Sequence, residues 1–345
     1  MSDVLRKIRK EPSNIFNRKS LNVNKNIKNN VKKLIKSVKS NESIESIESN
    51  ESNESNESNE SNESNESNEL NVISFATTPV RVNKLINIIH KYILNNNNVD
   101  KIIINVCVYY RRFKKELNDN GNLKNKINEL NKYFDCEKYV LNYTVDKGPI
   151  CKLLGGIEYL KNNNLQDSNI CIVDDDIIYD KNILSNLFLL VNINKKNKIF
   201  GYHIFSLSIN KDIKIIQGYA AICLNIKDLS ETLFKFTNYY LTIDWTDNNE
   251  NINLFLKACF LADDFLISYQ CNKENYKLIQ PPIPNNKLFE KSVNYGSLDD
   301  AIHNSKIIGD NIERYTFIYK NIDIYHNFLK KTKINDELKN KVKLI

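Results

Sequence analysis

The chain has 345 residues, enough for one large domain or two small ones. Its net charge of +7 is mild and dispersed over residues 70–345, which suits an anionic ligand. Without a nucleic-acid-binding motif, this charge gives no reason to expect a nucleic-acid partner. No apolar run approaches the roughly 20 residues that span a bilayer, and the N-terminus lacks an apolar signal core, so we expect no transmembrane segment.

Charge is segregated in the first 69 residues. Residues 1–40 carry twelve Lys or Arg against two acidic residues, a net of +10, and residues 41–69 carry ten Glu and no base, a net of −10. Residues 40–69 repeat the letters SNE with almost no apolar content, so they cannot offset the entropy of ordering and we expect them to be disordered. Residues 1–39 form a basic tail that we expect either to be solvated or to touch an anionic membrane or another polyanion.

This composition predicts that residues 1–69 are dispensable for folding. Limited proteolysis should leave a stable fragment that begins near Leu70. A truncated chain that unfolds or aggregates once residues 1–69 are removed would contradict the prediction.

From residue 70 onward, apolar runs of strand length alternate with segments of helical periodicity. The predicted strands are 72–76, 101–108, 139–143 and 169–173, and the predicted helices are 82–94, 123–134, 150–160 and 182–191. This alternation predicts an α/β domain over residues 70–345, with a mostly parallel central sheet and helices on both faces. The continuous apolar runs indicate central strands that are buried on both sides.

After Lys198 the pattern becomes less regular. We predict strands at 199–209, 213–217 and 219–225, a helix over 252–269 that is interrupted at Ala262, and a loop-rich tail from Pro281. The seven cysteines include no CxxC pair, and several lie in apolar strand-like runs. We expect them to be reduced and buried, as in a cytoplasmic protein.

Three consecutive carboxylates, Asp174, Asp175 and Asp176, follow the apolar run Ile170–Val173. They would repel one another at the end of a buried strand, and a divalent cation with oxygen ligands would relieve this repulsion. A strand period of two places Asp174 and Asp176 on one side and Asp175 on the other. The alternative is an ordinary Asp-rich turn or cap, but the position after a strand favours a metal or phosphate site.

Two further segments carry polar groups at positions where they could take part in proton transfer or in diphosphate binding. The pair Asp263 and Asp264 lies among apolar residues, where a carboxylate can have a raised pKa and accept a proton, or can begin a helix. In the segment DKGPICK at 146–152, Gly148 and Pro149 predict a tight turn into a helix. The start of that helix either faces a diphosphate or is a plain strand-to-helix turn.

Five segments in order resemble nucleotide-sugar glycosyltransferases of the GT-A fold, in particular a family 2-like group found in large DNA viruses, algae and bacteria. The resemblance covers about residues 70–280. The segments are SFATTPVR at 74–81, DKGPICK at 146–152, IVDDDIIYD at 172–180, IQGYAAICL at 216–224 and LADDFLISY at 261–269.

The resemblance implies a UDP- or GDP-sugar donor and positions for its ligands. Thr77 and Arg81 are expected to line the nucleotide pocket. Asp146 and Lys152 are expected to contact the nucleoside or the diphosphate, and Asp174 the ribose or the donor sugar. The expected location is the cytoplasm, which for a viral protein means the host cytoplasm or, alternatively, the virion.

The resemblance also implies a metal and a base. Asp176, with Asp175, is expected to hold Mn²⁺ or Mg²⁺ against the diphosphate. Asp264, or alternatively Asp263, is expected to take the proton from a hydroxyl of a glycan or protein acceptor. Direct attack opposite the leaving nucleotide would make the enzyme an inverting hexosyltransferase.

The sequence departs from the family pattern at three places. Ala76 replaces the first Thr of the first motif, Ala221 stands where Gly is usual, and the late acidic pair is Asp-Asp rather than Glu-Asp. These departures leave an alternative, in which the chain is a degenerate transferase domain that has lost catalysis and acts as a binding module. The histidines do not by themselves indicate a functional site, although His303 or His326 could complete a metal site.

A haloacid-dehalogenase-type phosphatase is the other alternative, because it also places paired aspartates after an apolar strand. Its motif has Thr or Val where Ile178 stands here. The segments 74–81 and 146–152 would have no explanation in such a phosphatase.

Overall fold

The computed structural model describes residues 69–89, 98–118, 120–135, 137–180, 182–194, 197–229, 236–246, 251–292 and 308–323. The chain divides into two units between residues 65 and 66, and every described residue belongs to the second. The predicted tail and repeat, apart from Glu69, therefore lie outside the described residues. So do His90, His303, His326 and the last residues of the helix predicted over 82–94.

The strands in the described residues are, in chain order, β1 (Asn71–Thr77), β2 (Lys101–Cys107), β3 (Tyr109–Tyr110), β4 (Lys115–Glu116), β5 (Tyr139–Thr144), β6 (Asn169–Ile172), β7 (Ile177–Tyr179), β8 (Lys198–Gly201), β9 (Ile204–Leu207), β10 (Asn210–Ile216), β11 (Ile222–Asn225), β12 (Lys277–Ile279) and β13 (Phe289–Ser292). The α-helices in the same residues are α1 (Val82–Ile88), α2 (Asn122–Phe134), α3 (Cys151–Asn162), α4 (Ile183–Ile193), α5 (Asn251–Phe260), α6 (Asp263–Lys273) and α7 (Asn311–Lys320).

The central sheet has seven strands in the order β12-β8-β11-β6-β1-β2-β5. β1 pairs in parallel with β2 and β6, β2 with β5, and β8 with β12, whereas β11 is antiparallel to both β6 and β8. The predicted α/β fold with a mostly parallel sheet is thus confirmed. Because β1, β2, β5 and β6 run in the same direction, their carboxyl ends meet at one edge of the sheet, where open α/β sheets bind ligands.

Helices cover both faces of this sheet. On one face α3 lies so close that a Cβ at Gly156 would stand 2.6 Å from Ser74 Oγ and from Ile170 Cδ1. On the opposite face Asn169 Nδ2 donates to Oδ1 of Asn192 in α4 at 2.5 Å. Cys171 is two residues further along β6, so its side chain lies on the same face as that of Asn169, and it is fully buried. Burial on both faces explains why the sheet strands read as continuous apolar runs.

Two predicted strands are wrong in their extent. The strand predicted over 219–225 begins only at Ile222, because residues Gly218–Ala220 form a 3₁₀ helix. The run 199–209 forms two strands, because the chain leaves the central sheet after Gly201, and β9 pairs with β10 in a separate antiparallel ribbon. Gly201, the last residue of β8, is closely packed, since a Cβ there would stand 2.6 Å from Ile216 Cδ1. By contrast, the predicted interruption at Ala262 is confirmed, since α5 ends at Phe260 and α6 begins at Asp263.

The tail from Pro281 is more regular than predicted, because it contributes β13 and α7. A capping box begins α7: Asp310 Oδ1 accepts from Glu313 N at 2.9 Å, and Glu313 Oε2 accepts from Asp310 N at 3.0 Å. The sequence Asp-Asn-Ile-Glu at 310–313 carries this signal. In the described part of the chain, no helix combines the length and apolar character that crossing a bilayer requires.

Candidate functional site

A cavity of about 290 Å³ opens at the sheet edge where β1, β2, β5 and β6 end. The sequence-predicted site residues all line it, although they come from four separate stretches of the chain: Thr77, Arg81, Asp146, Lys152, Asp174, Asp175, Asp176, Asp263 and Asp264. The fold therefore brings the predicted donor, metal and base residues to one place.

The three consecutive aspartates diverge at the end of β6. The side chains of Asp174 and Asp176 are 32% and 33% exposed, whereas that of Asp175 is only 3% exposed. The three aspartates lie beyond β6, which ends at Ile172, so the alternation belongs to the turn after the strand and not to a strand period of two. It leaves two of the three carboxylates accessible from the cavity.

Asp175 is held by the motif that follows β1. Its Oδ2 accepts from Thr77 Oγ1 at 2.7 Å, and its Oδ1 accepts from Arg81 NH1 at 2.6 Å. The same Arg81 nitrogen lies 3.5 Å from Asp176 Oδ2. The first motif and the acidic motif, nearly 100 residues apart, thus form one charged cluster.

The electrostatics of this cluster suit a cation. Burial raises the pKa of Asp176 to about 6, and the charges of Asp174 and Asp175 act in the same direction, while Arg81 opposes them. The described aspartates do not gather as a three-ligand cluster, so a cation here would be held by one or two carboxylates and by oxygen atoms of a bound ligand. Mg²⁺ is commonly bound in this way, by few carboxylates and by phosphate.

Lys152 is a buried lysine that lines the cavity. It is the second residue of α3, and its Nζ lies 2.8 Å from Asp174 Oδ1 and 2.9 Å from Asp263 Oδ2. Burial lowers the pKa of Lys152, but the charges of Asp174, Asp263 and then Asp264 outweigh it and hold that pKa well above its usual value. The side chain is therefore a permanent cation that links the two acidic motifs.

A polar network under the sheet edge positions the start of α3. Ser74 Oγ donates to the carbonyl oxygen of Lys152 at 2.5 Å and accepts from Asn105 Nδ2 at 2.8 Å. Asn142 Nδ2 in turn donates to Asn105 Oδ1 and to the carbonyl oxygen of Gly155, each at 2.9 Å. These buried contacts tie α3 to β1, β2 and β5, so the orientation of Lys152 is set by the sheet.

Asp263 and Asp264 form the first turn of α6, which follows the N-cap residue Ala262. Asp264 Oδ1 accepts from the backbone N–H of Gly218 at 2.9 Å. Burial and then the charge of Asp263 raise the pKa of Asp264 to about 8, although Lys152 opposes the shift. A carboxylate with such a pKa is suited to proton transfer near neutral pH.

Gly218 leaves no room for a side chain beside this pair. A Cβ there would stand 2.7 Å from Lys152 Nζ and 2.9 Å from Asp264 Oδ1. We expect Gly218→Ala to displace Asp264 and to lower catalysis by about 10–100-fold, because misplacing a reacting group by about 1 Å has effects of this order. Steady-state rates measured with the melting temperature would check this.

Gly121→Ala is the control for that substitution. Its Cβ meets nothing within 4 Å, although its φ of +73° adds backbone strain far from the cavity. A Gly218→Ala protein that keeps its full rate would show that the contact between Gly218 and Asp264 does not position the carboxylate.

Asp146 is held rigidly at the opposite side of the cavity. Its Oδ2 accepts from the backbone N–H of Arg111 at 2.8 Å, and its Oδ1 accepts from that of Gly148 at 3.0 Å. Gly148 has φ +80°, and a Cβ there would stand 2.6 Å from the Phe260 carbonyl oxygen, so the turn requires glycine. Burial raises the pKa of Asp146, against these two hydrogen bonds.

The sequence did not indicate several residues that line or support the cavity. Behind the lining, Tyr179 accepts from the backbone N–H of Asp174 at 3.3 Å and donates to the Tyr219 carbonyl oxygen at 2.9 Å, which braces the acidic turn. Asn311 and Tyr315 of α7 line the cavity itself. The capping box of α7 was the sequence signal that could have placed them on a helix.

The structure shows where Ala221 and Ala76, two of the departures from the pattern, lie. Ala221 is fully buried with φ +63°, a conformation that favours glycine, and this explains why Gly is usual there. Ala76 lines the cavity. His203 lies beside the cavity wall, where its Nδ1 contacts Gln217 Oε1 and, at 3.0 Å, the hydroxyl of Tyr219.

Comparisons with known proteins do not identify a family or a reaction for this chain. No protein-family model matches the sequence, and no curated protein matches it significantly. Similar solved structures include a 4-diphosphocytidyl-2C-methyl-D-erythritol synthase, at 12% identity over 64% of this chain and 94% of that chain with a TM-score of 0.33. Another such synthase, from Anaerococcus prevotii DSM 20548, has 15% identity over 63% and 90% with a TM-score of 0.33.

A third similar structure is a candidate glucose-1-phosphate thymidylyltransferase from Bacillus anthracis, in complex with a sucrose. It has 10% identity over 62% of this chain and 87% of that chain, with a TM-score of 0.33. At this score and identity, the similarity is a partial likeness of backbones, and it carries no information about the reaction.

Proposed function

We propose that this chain is a metal-dependent glycosyltransferase that moves a sugar from a UDP- or GDP-sugar to a hydroxyl of a glycan or protein acceptor. The observation that carries the proposal is the single cavity that unites Asp174–Asp176, the buried Lys152 and the pair Asp263 and Asp264. A transferase of this kind needs a site for a diphosphate and, a short distance away, a carboxylate that accepts a proton.

The donor would lie along the cavity edge formed by the parallel strands. Thr77, Arg81 and Asp146 are assigned to the nucleotide side, where rigid hydrogen-bonding groups favour one orientation. Asp174 faces the ribose or the donor sugar, and Lys152 supplies a fixed positive charge near the leaving diphosphate. Such preorganised charge stabilises the negative charge that develops as the glycosidic bond breaks.

Asp176 and, as a second ligand, Asp175 would hold Mn²⁺ or Mg²⁺. The fit rests on the hard oxygen donors and on the partial exposure of Asp176, whereas Arg81 Nη1, 2.6 Å from Asp175 Oδ1, competes with the ion for that carboxylate. When bound, the ion supplies charge neutralisation for the diphosphate leaving group.

Asp264 is assigned as the general base. It takes the proton of the acceptor hydroxyl, the acceptor oxygen forms its bond to the anomeric carbon, and the bond from that carbon to the diphosphate oxygen breaks. The nucleoside diphosphate leaves with the electron pair of that bond. Attack from the face opposite the leaving group inverts the anomeric centre. Asp263 keeps Lys152 in place through their ion pair.

The transfer rate is expected to rise with pH through about 8. Below that value most Asp264 carboxyl groups are protonated and cannot accept the acceptor proton, whereas above it they are ionised. The measurement is kcat/KM against pH at saturating metal, because this parameter reports the pKa values of the free enzyme. The residual rate of Asp264→Asn should lack this rise, and a wild-type rate that is flat or falls across the range would contradict the assignment.

A donor screen tests the proposal as a whole. The purified chain is incubated with a panel of UDP- and GDP-sugars and Mn²⁺, with p-nitrophenyl phosphate in a parallel reaction. We expect metal-dependent release of nucleoside diphosphate from at least one donor and no p-nitrophenol. Release of p-nitrophenol alone would favour the phosphatase alternative. Nucleotide binding without turnover of any donor would favour a degenerate binding module.

A further inference from the structure

Two cysteines that are 44 residues apart meet an aspartate below one side of the cavity. Cys107 is the last residue of β2, Cys151 is the first residue of α3, and Asp146 lies in the connection between β5 and α3. Their sulfur and carboxylate ligand atoms all lie within 4.8 Å of one another, and the three residues are 4%, 2% and 5% exposed. This thiol–carboxylate cluster is separate from the aspartates of the acidic run.

The fold brings the three residues together through strand register and a tight turn. Cys107 pairs with Thr144 between the parallel strands β2 and β5, so Asp146 follows two residues beyond that pair. The turn at Gly148 then reverses the chain and returns Cys151 to the cluster. Cys107 is 44 residues from Cys151, so the spacing of the cysteines alone could not reveal the cluster.

The ligand atoms are held in place before any ion binds. The backbone N–H of Lys147 donates to Cys151 Sγ at 3.2 Å, and Cys151 Sγ donates to the Val145 carbonyl oxygen at 3.4 Å, so this sulfur is held from two sides. Each oxygen of Asp146 accepts one backbone N–H, from Arg111 and from Gly148, and each retains a further lone pair. One oxygen can therefore bind an ion while the other remains available to the cavity.

We propose that Cys107, Cys151 and Asp146 form a zinc site. Two thiolates and one carboxylate are ligands that Zn²⁺ takes at tetrahedral sites, whereas Mn²⁺ and Mg²⁺ prefer oxygen ligands alone. All three residues line the cavity, so a water molecule or a ligand atom can occupy the fourth position. Binding releases the thiol protons to solvent.

Such a site would stabilise the donor side of the cavity. It would join the end of β2 to the turn before α3, and this turn carries Lys152 into the cavity. The inference does not depend on glycosyl transfer, because the ligands and their geometry would bind zinc whatever the reaction.

The test is Zn²⁺ binding by the whole protein, with Co²⁺ as the spectroscopic probe. The wild-type chain should retain about one Zn²⁺ after dialysis, and Co²⁺ should give the strong near-ultraviolet absorption of thiolate-to-metal charge transfer. Cys107→Ser and Cys151→Ser should each abolish that absorption and weaken Zn²⁺ binding by more than about 100-fold, because loss of an outer-shell partner alone can cost that much. Cys271→Ser, which alters a buried cysteine outside the cluster, should change neither, and Asp176→Asn should keep the absorption.

A second measurement on the wild-type chain covers the case in which a serine variant fails to fold. Zn²⁺ should slow the alkylation of Cys107 and Cys151, mapped by mass spectrometry, more than that of Cys171 or Cys271. The inference is overturned if the wild-type chain shows no thiolate absorption with Co²⁺, or if Zn²⁺ protects none of these thiols selectively. A Cys107–Cys151 disulfide that forms in air despite added Zn²⁺ would also overturn it.

Discussion

Replacing Asp264 with Asn is expected to lower the transfer rate by about 10²–10⁴-fold while the affinity for the donor stays nearly unchanged. The amide keeps the hydrogen bond from the Gly218 N–H, so the local geometry survives, but it cannot take the acceptor proton. Loss of kcat with intact ground-state binding marks an interaction made mainly in the transition state. The measurement is the transfer rate together with nucleotide affinity on one acceptor.

Asp263→Asn is the matched comparison. Its Oδ2 forms an ion pair with Lys152 Nζ at 2.9 Å without a hydrogen bond, and Lys152 keeps its contact with Asp174 when Asp263 loses its charge, so we expect a milder loss. If Asp263→Asn is the inactive variant instead, the roles within the pair are reversed. If neither substitution lowers the rate, the inverting mechanism itself is wrong and a retaining transferase has to be considered.

Replacing Asp176 with Asn is expected to abolish transfer and to remove the part of nucleotide binding that depends on Mn²⁺. The side chain is accessible from the cavity and lies beside the buried Asp175, so its loss removes an anionic ligand from a site of few oxygen donors. Calorimetry with UDP or GDP, with and without Mn²⁺, measures the effect.

Asp167→Asn is the control for charge alone, because that carboxylate is 41% exposed and paired with Lys227 at the surface. It should bind nucleotide and metal as the wild-type chain does. If Asp176→Asn leaves the metal-dependent binding intact, the metal site has to be sought elsewhere in the molecule.

The sequence predicted the central sheet well, because buried parallel strands are continuous apolar runs with few alternatives. β1, β2, β5 and β6 were all predicted within about two residues of their observed ends. The sequence pattern did not predict the end of a strand that tertiary contacts determine. After Gly201 the chain leaves the central sheet although the apolar run continues. The two-residue strands β3 and β4 are too short to produce a periodic signal.

In the candidate site, too, the sequence predicted the motifs but not the tertiary contacts between them. The three acidic or basic motifs could be identified from composition and from their positions after strands, and the structure places them in one cavity. Their pairing could not be predicted, because Lys152 meets Asp174 and Asp263 through tertiary contacts that no spacing encodes. The thiol–carboxylate cluster was missed for the same reason, since its cysteines were interpreted singly as small apolar residues.

The most direct test of the proposed transfer follows a labelled sugar from donor to acceptor. A nucleotide-sugar labelled in its sugar is incubated with Mn²⁺, a candidate acceptor and the wild-type chain, and both products are quantified. The account predicts one labelled sugar on the acceptor for each nucleoside diphosphate released, with the anomeric configuration inverted, and neither product with Asp176→Asn. Label that stays on the donor, or that leaves as a sugar phosphate, with every donor and acceptor tried would contradict it.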